Sequence, residues 1–81
     1  MTYTLAPLAP GAYDVLLDGE IIASLVREML PGHRLPAWEV ELLTWSPSVV
    51  PPGPFLKPVH SFASFPDALA WLGIPATDWA N

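Results

Sequence analysis

The alternation of apolar and polar positions between residues 13 and 26 predicts a β-hairpin. The segment reads YDVLLDGEIIASLV, with an apolar run on either side of Asp18-Gly19. An Asp-Gly pair between apolar runs is a strong hairpin signal, because a type I′ turn needs positive φ at both central positions. We therefore expect strands over 12–17 and 20–27, joined by a two-residue turn that fixes their register.

The expected register divides the apolar residues of the hairpin between two faces. A regular ladder pairs Leu16 with Ile21 and Val15 with Ile22, and side chains alternate between the two faces along each strand. One predicted face holds Tyr13, Val15, Leu17, Ile22 and Val26. The other predicted face holds Leu16, Ile21, Ala23 and Leu25, with Asp14 among them.

A third strand is predicted over 37–45. The segment AWEVELLTW alternates apolar side chains with glutamates, which is typical of a strand with one buried face. Glu39 and Glu41 identify the solvated face, which they should share with Asp14. The opposite face is then the core face, where Trp38, Val40 and Leu42 join the first set of hairpin residues.

Residues 65–72 form the one predicted helix. Ser64 is a good N-cap, and Asp67 follows at the third helical position to complete a capping box. Pro66 is tolerated in the first turn, and Gly73 supplies a left-handed end. An apolar stripe should hold this helix on the core face of the sheet; the stripe consists of Phe65, Ala68, Leu69 and Leu72.

Eleven prolines set the organisation of the chain around these elements. We expect an extended N-terminal arm over 1–11, which can add to a sheet edge where proline is tolerated. A single domain follows over 12–75, with a tail over 76–81. Within the domain, a proline-rich loop over 46–58 is either docked on apolar surface or mobile, and a short extended piece over 59–63 precedes the helix. The predicted fold is α+β: a three-stranded antiparallel sheet, β-β-β-α, with one short C-terminal helix on one face.

Composition restricts the classes of function. Eight acidic residues against three basic ones give a net charge of −5, and binding to nucleic acid or to an anionic membrane surface normally needs a basic stripe. The absence of cysteine excludes disulfides and zinc–thiolate sites. The first residues have neither the basic start nor the apolar core of a signal peptide. We therefore expect a cytoplasmic protein that binds neither nucleic acid nor membrane.

The residues that could carry chemistry are few and scattered. His33 and His60 are isolated, without the spacing of a metal site, and Ser61 follows His60 directly, so the two side chains point in opposite directions on an extended chain. Glu39 and Glu41 lie about 7 Å apart on one strand face, a pattern more typical of a solvated surface than of paired catalytic acids. We predict no catalytic residue, no metal ligand and no cofactor.

Two resemblances accompany this pattern. The order β-β-β-α over residues 12–73 resembles the sheet-plus-helix part of double-stranded-RNA-binding domains and of the arm-binding domains of phage integrases, whose basic residues have no counterparts here. The stretches YDVLLDGEIIASLVRE and FPDALAWLGIP are similar to those of small uncharacterised proteins of bacteria and their phages. The latter resemblance implies no activity.

The residual apolar face of the hairpin supports a hypothesis about function. An apolar patch bordered by acids is typical of an interface, so we expect a non-enzymatic protein–protein interaction module that self-associates or binds a protein partner. One alternative is an acidic inhibitor or decoy from a phage or mobile element that binds a basic host protein, and another is a small hydrolase. The candidate interface residues are Leu16, Ile21, Leu25, Leu43, Trp45 and Trp79.

Overall fold

The computed structural model describes residues 2–29, 31–32 and 36–75. In chain order the elements are β1 (Tyr3–Ala9), β2 (Ala12–Leu17), β3 (Glu20–Glu28), β4 (Ala37–Leu42), β5 (Val59–Phe62) and α1 (Phe65–Leu72). The strands form one antiparallel sheet in the order β1-β2-β3-β4-β5. Each strand therefore pairs with its neighbours in sequence, and α1 packs against β4 and β5.

The prediction of a three-stranded sheet is wrong, because the sheet has five strands. The first additional strand, β1, lies in the segment predicted as an arm, and β5 lies in the short extended piece before the helix. Pro7 is compatible with β1 because an edge strand has a partner on one side only. The third predicted strand corresponds to β4, which ends at Leu42 rather than at Trp45.

The hairpin between β2 and β3 has the predicted turn but not the predicted register. Asp18 and Gly19 both have positive φ, 51° and 89°, as a type I′ turn requires. Leu16 pairs with Ile21 as expected, but Val15 pairs with Ala23 instead of Ile22. Ile22 is thus the additional residue of a β-bulge, which shifts the rest of β3 by one position.

This bulge corrects the assignment of faces, because a one-residue shift exchanges the two sides of a strand. Ala23 and Leu25, which were predicted on the outer face, are fully buried in the core, and Leu25 is 0% exposed. Val26 was predicted in the core but pairs with Glu39 on the outer face. Ile22 still packs against the core from its position in the bulge.

The helix α1 has the predicted bounds and caps. The Ser64 hydroxyl oxygen accepts a hydrogen bond from the backbone N–H of Asp67 at 3.2 Å. At the other end, Gly73 has a φ of 76°, and the N–H of Ile74 donates to the carbonyl of Leu69 at 2.9 Å. This pattern is a Schellman end, which glycine permits without strain.

The proline-rich loop is docked on the core face at Phe55, which is 2% exposed. The Phe55 ring lies 6.2 Å from the ring of Tyr3 and 4.9 Å from that of Trp71, between their centroids. The Tyr3 hydroxyl donates to the carbonyl of Gly53 at 2.9 Å. Burial, and then the negative charge of Asp18, raise the pKa of Tyr3, so this hydroxyl keeps its proton and remains a donor. The loop therefore covers the core face, and not the outer face.

Candidate interaction surface

Exposed apolar side chains gather at the end of the sheet where β3 begins and β4 ends. We call this surface the Trp45 patch and define it by five exposed residues: Ile21, Leu43, Trp45, Val49 and Val50. The N–H of Leu43 donates to the carbonyl of Ile22 at 3.0 Å, which holds the chain beside β3 for one residue after β4 ends. Leu43 therefore lies beside Ile22, the residue that follows Ile21 in β3.

The local sequence explains why this part of the loop stays exposed. The hydroxyls of Ser46 and Ser48 are hydrogen-bonded at 2.9 Å, and the N–H of Val49 donates to the carbonyl of Ser46 at 3.2 Å, which closes a turn. The prolines at 51 and 52 have no N–H and a fixed φ, so the chain cannot continue as a central strand. Val50, at the end of this turn, is 89% exposed.

An apolar groove lies beside these protruding valines. It has a volume of about 300 Å³ and is formed by the bulge of β3, the end of β4 and the first part of the proline-rich loop. None of its lining residues is charged. The lining consists of Ile22, Leu42, Thr44, Trp45, Ser46, Val49, Val50, Pro51 and Pro52. A groove of this size and polarity is suited to apolar side chains of a partner, since a charge placed there would lose its hydration without gaining a counter-charge.

The structure brings four of the six candidate interface residues to this end of the sheet. Ile21, Leu43 and Trp45 are exposed, while Leu16 is half-buried and pairs with Ile21. Leu25 lies in the core for the reason given above, and Trp79 lies outside the described residues.

Sequence reasoning missed two residues of the Trp45 patch, Val49 and Val50, and one residue of the groove, Ile22. The two valines stand between prolines in the segment SPSVVPP, where neither a helix nor a central strand can use them. Valine side chains in such a segment are expected to be exposed. Ile22 lines the groove from the bulge of β3, and the sequence has no glycine or proline signal for that bulge.

The outer face of the sheet is acidic, as predicted. The pairs Asp14–Ser24 and Ser24–Glu41 place both carboxylates on one face, and Glu39 lies on the same face of β4. Burial raises the pKa of Glu39, and the neighbouring carboxylate of Glu28 raises it further, both through its charge and through a hydrogen bond; Glu41 acts in the same direction. This face therefore holds mutually repelling carboxylates.

The His60 side chain lies on the core face of the sheet, where it packs against aromatic side chains and accepts a backbone hydrogen bond. Its Nε2 accepts a hydrogen bond from the N–H of Leu56 at 3.2 Å, and its ring lies 4.5 Å from the Trp71 ring between centroids. Burial, and then the positive charge of Lys57, lower the pKa of His60, while a hydrogen bond to the Lys57 backbone opposes the shift. Nε2 is thus occupied as an acceptor, and the next residue, Ser61, is exposed. His33 lies outside the described residues.

Two further properties concern only the part of the chain that the structure describes. There, no group of three or more histidine, aspartate and glutamate side chains is arranged to hold a metal ion. No helix within the same residues has the length and hydropathy needed to cross a membrane.

Comparison with protein-family models, with curated proteins and with solved structures gives no match to the chain. The structure shows a small β-rich domain with a C-terminal helix, in the order β-β-β-β-β-α. This order differs from the β-β-β-α order on which the resemblance to double-stranded-RNA-binding and integrase arm-binding domains rested. No family is identified.

Proposed function

We propose that this domain is a non-enzymatic protein–protein interaction module that self-associates through the Trp45 patch. The observation that supports the proposal is the juxtaposition of protruding apolar side chains with an uncharged apolar groove at one end of the sheet. Exposed apolar surface of this kind typically marks an interface in a soluble domain.

Self-association is favoured because this end of the sheet has both protruding apolar side chains and a groove that could receive them. In a two-fold symmetric dimer the same surface meets itself, so a projection on one copy must fit a depression on the other. Val49 and Val50, which are exposed at the wall of the groove, would supply the projection, and the groove itself the depression. Two copies with a net charge of −5 repel each other. Contact through the groove is favoured over contact through other surfaces, because the groove has no charged residue and adds no local repulsion.

Substitution of Val50 provides the test, since its side chain is 89% exposed and makes little contribution to the core. We expect the wild-type protein to sediment as a dimer at micromolar concentration and Val50→Glu to sediment as a monomer, because each dimer would bury two unpaired carboxylates. Leu56→Glu is the matched control: Leu56 is in the same loop and is 84% exposed, but it does not line the groove, so this variant should remain dimeric.

Ile21→Glu extends the same test to the strand side of the patch. Ile21 is exposed, so the substitution should dissociate the dimer without unfolding the domain, which thermal unfolding of the variant checks. A wild-type protein that remains monomeric, or a Val50→Glu variant that remains as dimeric as Leu56→Glu, would contradict the proposal.

A second candidate function is the binding of a basic protein by the acidic outer face, as an inhibitor or decoy would do. The observation in its favour is the cluster of carboxylates on this face, where burial and then the neighbouring Glu28 and Glu41 raise the pKa of Glu39. A partner with lysine or arginine side chains would relieve this repulsion, and complementary charge of this kind mainly increases the association rate and specificity.

Binding to poly-L-lysine at increasing salt tests this second candidate. Glu39→Gln/Glu41→Gln removes two charges from the outer face, whereas Glu20→Gln/Asp67→Asn removes two charges elsewhere. If the outer face is the binding surface, the first variant should bind more weakly than the second at equal net charge. Equal losses of affinity would indicate that only the overall charge matters.

A further inference from the structure

The strand β1 leaves one edge of the sheet open. Among the residues that the structure describes, β1 has a neighbouring strand on one side only, β2. Natural edge strands are usually protected from pairing by charged side chains, prolines, bulges or short length. The two edge strands of this sheet, β1 and β5, differ in these features that prevent pairing with another chain.

Protection on β1 is confined to its second half. Pro7 lies in this strand, and a register shift between Pro7 and Ala9 interrupts the ladder there. The first half, residues 3–6, contains no charged residue, no proline and no bulge. At the opposite edge, the whole of β5 has four residues and follows directly after Pro58, whereas β1 has seven residues.

The backbone orientation shows which groups β1 presents at its open edge. The N–H of Asp18 donates to the carbonyl of Thr2 at 2.9 Å, so the backbone of Thr2 faces β2. Because these groups alternate in direction along a strand, the N–H and C=O groups of Tyr3 and Leu5 face away from β2. The backbone N–H and C=O groups of both residues therefore point to the open edge, in a segment without charged side chains.

We infer that β1 is a second self-association surface, at which two copies pair antiparallel around Thr4. This inference rests on the proposed function, since it adds a second contact to a protein that already pairs through the Trp45 patch. In this register Tyr3 exchanges hydrogen bonds with Leu5 of the other copy, and Leu5 with Tyr3, while Pro7 stays outside this exchange. The two exposed Thr4 side chains meet as a cross-strand pair, which is a favourable combination in sheets.

The charges of the two copies permit this contact. Ala6 would lie opposite Thr2 of the other copy, which places Asp14 and Asp18 in one row across the joined sheets. Their separation is three strand spacings, about 14 Å. This distance exceeds the screening length of about 8 Å at physiological salt, so the acids do not prevent pairing.

Two different two-fold surfaces on one chain give assemblies larger than a dimer. Such assemblies close as tetramers or extend as chains, depending on the angle between the two axes. Because the β1 contact is small, it should form only at concentrations on the order of hundreds of micromolar, as small interfaces are weak. We expect the wild-type protein to be a dimer at micromolar concentration and to exceed the dimer mass at the higher concentration.

Sedimentation of a set of variants at both concentrations tests the inference. Thr4→Lys places like charges opposite each other in the β1 pair, so this variant should remain a dimer at high concentration. Leu8→Lys adds the same charge at an exposed residue of β1 beyond Pro7, and this control should still exceed the dimer mass. Val50→Glu should be a monomer at low concentration and a dimer at high concentration, and the double variant Thr4→Lys/Val50→Glu should be monomeric throughout.

Amide hydrogen exchange gives a readout specific to β1. The N–H groups of Tyr3 and Leu5 should exchange about tenfold more slowly at high than at low concentration in the wild type, because pairing protects them, and not in Thr4→Lys. A wild-type mass that does not rise above the dimer, or a Thr4→Lys variant that assembles like the wild type, would overturn the β1 contact. The result for Val50→Glu at low concentration decides the proposed function separately.

Discussion

At the scale of single residues, Phe55 holds the proline-rich loop on the core. Its side chain is 2% exposed and lies between the rings of Tyr3 and Trp71. We expect Phe55→Ala to lower the free energy of unfolding by about 3–5 kcal/mol, as buried aromatic truncations do. Leu56→Ala, next to it but exposed, should change stability by less than about 0.5 kcal/mol. Chemical denaturation measures both, and equal stabilities of the two variants would show that the loop is not held at Phe55.

His60 makes stability depend on pH. Burial lowers its pKa in the folded protein below the ordinary value of 6.5, so between these two pKa values the unfolded chain binds more protons than the folded one. The free energy of unfolding therefore rises with pH in this range. The stability that neutral His60 contributes is fully present above the ordinary pKa of 6.5. It is lost as the pH falls from that value through the lower pKa of the folded protein.

The variant His60→Gln isolates this effect. Its amide oxygen can accept the hydrogen bond from Leu56, but its side chain does not titrate. We expect the wild type to lose more stability than His60→Gln between pH 7.5 and 5, as measured by thermal unfolding at each pH. Parallel stability curves for the two proteins would contradict the lowered pKa.

At the scale of elements, the sequence predicted those segments in which local chemistry determines the structure. The helix was predicted with its correct bounds because Ser64, Asp67 and Gly73 act within one turn of its ends. The Asp18-Gly19 turn was predicted for the same reason. The strands β1 and β5 were missed as sheet members because Pro7 obscured one, and the four residues of β5 are too few for a periodic pattern.

The bulge at Ile22 was not predicted because its cause is tertiary. A regular register would place Leu25 outside, whereas the observed register buries it against Val40 and Tyr13. The burial of a large side chain that would otherwise be exposed contributes about 1.5–3 kcal/mol, which favours the shifted register. Local sequence preferences carry no information about this choice.

Deletion of single residues in β3 and β4 tests the role of the bulge. Removal of Ile22 leaves the pairs Leu16–Ile21 and Val15–Ala23 in place, so the domain should still unfold cooperatively, with some loss of stability from the missing core contact. Removal of Glu39, in the regular ladder of β4, turns Trp38 to the outer face because no bulge absorbs the deletion, and it should abolish cooperative unfolding. Circular dichroism during heating distinguishes the two, and equal damage by both deletions would show that Ile22 is not the additional residue.

At the scale of the whole molecule, the residues predicted from the sequence overlap only in part with the surface that we propose as an interface. Leu16, Ile21, Leu43 and Trp45 were predicted to share an apolar surface, and they lie at one end of the sheet. The groove beside them was not predictable, because it needs the bulge of β3 and the path of the proline-rich loop together. A binding partner is selected by the complementarity of two surfaces, and the sequence of this chain describes only one of them.

Net charge gives a prediction that separates the two candidate functions. Two copies with a net charge of −5 repel each other, while the groove that would join them contains no charged side chain. Added salt screens the repulsion and does not weaken apolar contacts. We therefore expect the dimer to become severalfold tighter between low and moderate salt, about 20 and 300 mM NaCl, in sedimentation equilibrium.

The opposite dependence is expected for the acidic outer face. Its binding to a basic partner depends on attraction between charges, so the same increase in salt should weaken that complex. A dimer that weakens with salt would indicate ion pairs across the interface, and the Trp45 patch would then not be the contact. Because Val50→Glu adds a charge to each copy in the patch itself, any residual dimer of that variant should tighten with salt more steeply than the wild type.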